Sequence, residues 1–380
     1  MVDASISSLM PSTFADQPDA NVRAAVRARI SELDIEIEAL KLSLRSLRLE
    51  RKECQQVLDT YRYPVLMLPP EMTSEIFTCF LSQFPQRPRL VGPLSPSFLC
   101  QICHAWREVA LSTPTLWNAM ALTLNDPDLF PNQLCLLEAW LDRSGMCPLS
   151  IEFECDLVGT STAPLVETIV RHASRWEDVN LRLPYEVLHL IRGVMPRLRD
   201  VTIAPSNVLE QTTPVLEIFT QARSLRAVTL LTFFNPFCIT LPWSQLTALS
   251  TESIFDSEAA VILRHTAALE ECDLTLNLIL LSEPIPAIPP LLHLRSLKIW
   301  PFEGDPEGPH THLIPALTLP ALETISLFEP YLGTDPIATI SALRPQGYPQ
   351  QIEIYSYSAE DRDVYTAAFP QANVIVRDGY

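Results

Sequence analysis

Cys100, Cys103 and His104 stand in C-x-x-C-H order, the spacing that attaches haem covalently through two thioethers and an axial imidazole. That chemistry needs an exposed, flexible segment. Here Leu99, Ile102, Cys103 and Trp106 recur at helical spacing as an apolar stripe, so the cysteines read as small core residues within a helix. A second polar set, Glu303, Asp305, Glu307, His310 and His312 in FEGDPEGPHTH, offers carboxylates and an H-x-H pair to a divalent cation. Metal ligands need a rigid supporting shell, and this loop is rich in Pro and Gly, so a solvated insertion is the expected reading. No G-x-S-x-G, H-E-x-x-H or phosphate-cradling glycine run occurs. These residues point to no enzyme, no cofactor and no metal. The expectation is a protein that acts by binding.

Composition narrows the partners. A formal charge of −18 argues against nucleic acid and against an anionic membrane. The apolar stretch from Leu274 to Leu281 contains Thr275 and Asn277 and is far too short to span a bilayer. The opening MVDASISSLMPSTFAD has neither a basic region nor an apolar core, so no secretory route is expected. Nine cysteines without paired spacing fit a reducing compartment, the cytoplasm or the nucleus. Only three of the 27 basic residues are Lys.

Four stretches must position whatever surface does the binding. Residues 1–19 carry no periodic pattern and are expected to be disordered. Residues 20–62 carry a net charge of +2, against −17 for everything after them, and contain no Pro or Gly between Asn21 and Tyr63. With Ile30 at heptad position a, Ile30, Ile37 and Leu44 fall at a, and Leu33, Leu40 and Leu47 at d. This predicts a coiled-coil helix able to self-associate, or else one amphipathic helix lying on its own globular body. Leu42 and Leu49 widen its apolar face. Residues 63–120 predict two short helices. The first opens at Pro69–Pro70, and the second carries Leu99, Ile102, Cys103 and Trp106, with the Pro-rich stretch Gln83–Pro96 between them.

From about Leu149 the chain repeats an apolar triplet, L-x-x-L-x-L in its strand part. Trp176/Val179/Leu181, Leu198/Val201/Ile203, Leu225/Val228/Leu230, Leu246/Leu249/Thr251, Leu269/Cys272/Leu274, Leu294/Leu297/Ile299 and Leu322/Ile325/Leu327 all fit. Helices are predicted between them at Pro184–Val194, Pro214–Ala222, Ser257–Thr266 and Asp335–Leu343. Each βα unit is too small to bury its own apolar face, so neighbours must stack. The Asn of the usual ladder appears only as Asn277, which predicts an irregular array over 121–380. An ordinary α/β sheet with evenly spaced strands is the plainer alternative. The expected fold class is therefore α/β: an N-terminal coiled-coil helix, a small helical module, then an irregular leucine-rich-repeat-like solenoid.

The stretch Leu68-Pro69-Pro70-Glu71-Met72, followed by Ile76-Phe77, by Cys103-His104-Ala105-Trp106-Arg107-Glu108-Val109-Ala110 and by Leu116-Trp117, resembles an F-box. The Gln83–Pro96 spacer is longer than that pattern allows. The whole layout, with Pro148-Leu149-Ser150-Ile151 and Arg175-Trp176, is similar to the F-box proteins of mushroom-forming fungi. The resemblance implies docking on a Skp-type adaptor and, through it, on the cullin scaffold of a ubiquitin ligase. The array would then bind an unknown target protein for degradation. By the same resemblance the adaptor-binding residues are Leu68, Pro69, Pro70, Glu71, Ile76, Phe77, Leu81, Leu99, Ile102, Cys103, Trp106 and Trp117, with Trp106 expected to pack internally. The alternative is a non-catalytic scaffold of coiled coil and repeats in which the short helices only cap the array.

Overall fold

The computed structural model describes residues 20–60, 64–82, 84–155, 162–206, 215–231, 239–277, 285–302, 311–344, 347–356 and 362–378. The chain divides into two compact units between Pro69 and Pro70. The first contains one long helix, α1 (Ala20–Thr60), and a single 3-10 turn at Pro64–Met67. At 1.5 Å per residue its 41 residues make a rod of about 60 Å. Ion pairs one turn apart, Arg29–Glu32 at 3.0 Å and Lys41–Glu38 at 2.9 Å, lie on its surface. Its heptad seam is open to solvent: Ile30, Leu33, Ile37, Leu40, Leu44 and Leu47 are all between 41% and 63% exposed.

The second unit is mixed α/β. Three helices, α2 (Pro70–Phe80), α3 (Pro96–Ile102) and α4 (His104–Ser112), precede a parallel sheet. Its strands are β1 (Ala119–Leu124), β2 (Leu149–Cys155), β3 (Trp176–Leu183), β4 (Asp200–Pro205), β5 (Ala227–Leu230), β6 (Ala248–Ile254), β7 (Glu271–Leu276), β8 (Ser296–Pro301), β9 (Thr324–Phe328), β10 (Gln351–Ser356) and β11 (Asn373–Asp378). These eleven pair strictly in chain order, each parallel to the next. Parallel crossovers are right-handed almost without exception, which puts the described helices between the strands on one face. The side-chain pattern follows. In β2 buried and half-buried residues alternate along the whole strand, with Leu149, Ile151, Phe153 and Cys155 inward and Ser150, Glu152 and Glu154 on the open side.

The predicted triplets build the inward face. Val179, Val201, Val228, Leu249, Cys272, Leu297 and Ile325 stand in one cross-strand register and continue to Ile352 and Val374. Leu181, Ile203, Leu230, Thr251, Leu274, Ile299 and Leu327 form the next row, and both rows are buried. The repeat also extends beyond the predicted set. Trp117/Met120/Leu122 opens it at β1, and Pro148/Ile151/Phe153 and Pro349/Ile352/Ile354 supply β2 and β10 with Pro in the leading place.

The connections are less regular than the periodicity suggests. Helices α5 (Phe130–Arg143), α6 (Ala163–Val170), α8 (Asp256–Leu263), α9 (Pro336–Leu343) and α10 (Arg362–Ala368) pack on the inward face, with Leu137, Leu141, Val166, Ile169, Ile262, Ile340 and Tyr365 joining one core. Helix α9 starts as its sequence dictates: the Asp335 carboxylate accepts from Ala338 N–H at 2.9 Å and Pro336 occupies the first turn. Two expectations need correction. Of Pro184–Val194 only α7 (Tyr185–Leu188) is helical, and the chain turns away at Gly193, whose φ of +117° suits glycine. The described part of Pro214–Ala222 is not helical, because Leu216 pairs as a bridge with Ile239 and its carbonyl accepts from Thr240 N–H at 2.9 Å. A short apolar run does not by its period distinguish helix from extended chain. No described helix is long and apolar enough to cross a membrane.

The two faces of the sheet predict different responses to truncation. Ile325→Ala on the inward row should cost about 2–5 kcal/mol in urea denaturation. Its neighbour Thr324→Ala, on the open side, should stay within about 0.5 kcal/mol. Equal costs at the two positions would refute the assignment of faces.

Candidate functional site

The helical residues that carry the F-box resemblance divide between core and surface. Phe77 and Leu99 are 1% exposed and Trp117 is fully buried, so these three hold the fold together and are unavailable to a partner. Trp106 meets Phe77 edge-on at 5.0 Å between ring centroids, which places it internally as its helical spacing predicts. Leu81 and Cys103 are half-buried. Pro70, Glu71, Ile76 and Ile102 are exposed. Two further apolar residues join the last pair on the surface: Met72 on α2, and Phe98 one turn before Ile102 on α3. The Phe80 and Phe98 rings stack at 6.2 Å and tie α2 to α3. Leu68 and Pro69 are exposed and belong to the first compact unit. Phe98 was legible in the sequence as the i−4 partner of Ile102, but the leucine beside it dominates the pattern.

The C-x-x-C-H stretch does not lie within one helix. Cys103 is extended (φ −156°, ψ 169°), ending α3 and starting α4. The Arg107 guanidinium donates to Cys100 O at 2.7 Å and so satisfies a carbonyl that the break leaves without a helical partner. Burial pushes the Cys100 thiol above its ordinary range, against the pull of Arg143 and Arg107. His104 is exposed beside Glu108, 3.6 Å away. Of the acidic loop, Glu303, Asp305, Glu307 and His310 lie outside the described residues, and His312 lies within them. Arg175, part of the wider resemblance, is a buried strut. It donates to Cys147 O at 3.0 Å and to Ser144 Oγ at 2.5 Å, and its burial lowers its pKa.

The Pro-rich spacer folds onto the sheet. Arg89 bridges to Ala121, Pro88 O accepts from Ala121 N–H at 2.8 Å, and Leu90 enters the core. This segment covers the β1 edge, which would otherwise offer unpaired backbone groups. The turn that follows is held by Ser95 and Ser97, whose hydroxyls both donate to Leu90 O. Arg87 then crosses the open side of β2 and β3. Its guanidinium donates to Ser150 Oγ at 2.8 Å, to Glu152 at 3.3 Å and to the Asp178 carboxylate, with its own side chain only 7% exposed.

The open face is polar and predominantly acidic. One cross-strand row reads Ser150, Asp178, Asp200, Ala227, Ala248, Glu271, Ser296, Thr324 and Gln351. The next reads Glu152, Asn180, Thr202, Thr229, Ser250, Asp273, Lys298, Ser326 and Glu353. Cations are matched to carboxylates near both ends: Arg182 with Glu154 at 3.1 Å, Arg377 with Glu353 at 2.6 Å. Small side chains occupy the middle, and a hollow of about 220 Å³ lies over Ala227, Thr229, Ala248 and Ser250, bounded by Glu271, Asp273 and, beyond Asp273, Lys298. Asp200 stands beside it. Burial raises the Asp200 carboxyl pKa, Asp178 and Glu177 raise it further, and Arg199 opposes them. Burial likewise raises Asp273, opposed by Lys298 and by a hydrogen bond from Trp300. Trp300 meets Tyr355 edge-on at 4.6 Å farther along the sheet.

No family model matches the chain, and no curated protein matches it in sequence. Among the described residues no group of three or more His, Cys, Asp or Glu could hold a metal ion.

Removing the Arg87 clamp leaves two carboxylates facing each other without their shared cation. Arg87→Met should lower unfolding free energy by about 1.5–3 kcal/mol, the range for hydrogen bonds to charged groups. Amide hydrogen exchange at Ala121, whose N–H bonds to the spacer, should accelerate in step.

Proposed function

We propose that this chain is an F-box-type substrate receptor. In this reading its helical segment docks a Skp-type adaptor, joins a cullin-based ubiquitin ligase, and presents a target protein on the open face of an irregular leucine-rich-repeat-like solenoid. The observation that carries the reading is the pairing, in one compact unit, of exposed apolar side chains on two short N-terminal helices with a wide, polar sheet face. Met72, Ile76, Phe98 and Ile102 supply apolar area of the kind that a helical groove partner buries. Leu68, Pro69, Pro70 and Glu71 are exposed and stay among the proposed contacts, as the resemblance implies. Phe77, Leu81, Leu99, Cys103, Trp106 and Trp117 act through the fold that holds the exposed set in place. The absence of a recognisable catalytic constellation in the sequence fits a receptor, which binds and leaves the chemistry to its partners.

Two expected outcomes test this. Purified full-length chain at micromolar concentration should retain a purified Skp-type adaptor in a pull-down. The pair Ile76→Asp with Ile102→Asp should abolish retention while the circular dichroism spectrum stays that of the folded chain, because both side chains lie on the surface. Failure of the wild-type chain to retain the adaptor would leave the helices as a cap of the sheet and favour the scaffold alternative.

The open seam of α1 favours pairing with a second copy, since apolar a and d positions left in water gain by burial in a parallel coiled coil. Sedimentation should show a dimer. Leu40→Glu with Leu44→Glu should return a monomer, because pairing would then desolvate carboxylates without partners.

A further inference from the structure

The receptor reading places a target on the open face without saying what it must look like, and the central hollow constrains that. Asp200, Ala227, Ala248 and Glu271 stand in one register across β4 to β7. Three inter-strand steps separate the two carboxylates, about 14 Å at some 4.8 Å per step. The alanines between them leave the floor low. Neither Asp200 nor Glu271 has a cation within 4.0 Å among the described residues, whereas Glu152, Glu154, Asp178 and Glu353 each have one. In an extended chain, residues i and i+4 point to the same side and lie about 13–14 Å apart. The residue at i+2 points the same way, midway between them.

We propose that the hollow takes an extended polypeptide segment of the target protein, crossing the strands, with basic side chains at i and i+4 and an apolar one at i+2. The first basic group meets Asp200 and the second meets Glu271, with Asp273 one pleat along the same strand. The middle side chain settles on Ala227 and Ala248. Arginine suits both ends better than lysine, because its planar fork donates two parallel bonds to one carboxylate. The raised proton affinities of Asp200, exposed but crowded by Asp178 and Glu177, and of half-buried Asp273 agree with this, since a bound cation relieves the cost of keeping them ionised. The Trp300–Tyr355 pair bounds the same face on the far side of Lys298.

This inference rests on the receptor reading for its biological sense, but it is tested on its own. The probe is a fluorescein-labelled peptide, Gly-Gly-Arg-Ser-Leu-Ser-Arg-Gly-Gly, titrated with the full chain and followed by anisotropy. It should bind about tenfold more tightly than a peptide of equal charge with its arginines three apart. Ala248→Trp fills the hollow without changing any charge and should weaken binding about tenfold. Asp200→Asn with Glu271→Gln, isosteric and neutral, should do the same with an unaltered melting curve. Equal affinity for both spacings, or indifference to Ala248→Trp, would reduce the interaction to general attraction by an acidic chain and overturn the proposal. A chain that captures the adaptor but ignores the spacing keeps the receptor reading and loses this one. A chain that reads the spacing but captures no adaptor does the reverse.

Discussion

Every feature of the second unit follows from one constraint: strands that are neighbours in space are neighbours in sequence, and all are parallel. Crossovers of one hand put connections on the same face, and the described helices pack there. The inward rows are apolar because the described helices pack on them, and the outward rows are polar because, among the described residues, only the Arg87 segment lies across them. The acidic patches, the matched arginines and the hollow are all consequences of having a second face to decorate. A sheet wound in both directions would have covered it and left ligands only a crevice at the strand ends.

The same constraint leaves a first strand with a bare edge and an uncovered core, and the short helices answer that need. Trp117 is the joint. It is fully buried immediately before β1 and its indole donates to Ala110 O at 2.8 Å in the last turn of α4. Its ring meets Trp140 edge-on at 4.9 Å, and the Arg143 guanidinium lies 4.6 Å from its centroid. The spacer adds Leu90 to the core and Arg87 to the open face. Helices α2 to α4 and the sheet are therefore packed into one compact unit. The compact units part between Pro69 and Pro70, so these helices belong to the same unit as the sheet.

Strands were more legible than connections. The triplets at Trp176 through Leu327 carry register because an inward side chain every second residue is set by burial, and burial shows in residue type. The outer strands were harder to see, since Pro148 and Pro349 replace the leading leucine while the alternation in LSIEFEC and QIEIYS persists. Connections close few contacts of their own, so a helical period at Pro184–Val194 had no packing to enforce it. On the helical segment, spacing singled out the right side chains but not their direction. Phe77 and Ile76 are adjacent in sequence and point about 100° apart around α2, one into the core and one to the surface. The hollow and the carboxylate beside it could not be read at all before strand registers were known, because Asp200, Ala227, Ala248 and Glu271 are scattered over 72 positions of sequence and line up only through cross-strand pairing.

Because spatial order repeats chain order, the unit can be laid down as it is made. Strand starts follow one another at intervals of 21 to 30 residues. At about 5–20 residues per second a ribosome would release a new strand every one to six seconds or so. Each would find its template already docked and its own successor still in the exit tunnel. The helices, Trp117 and the Arg87 strap emerge first, so the first strand meets a finished surface. No strand has to wait for a partner encoded far downstream, the circumstance that leaves other parallel sheets open to aggregation during synthesis.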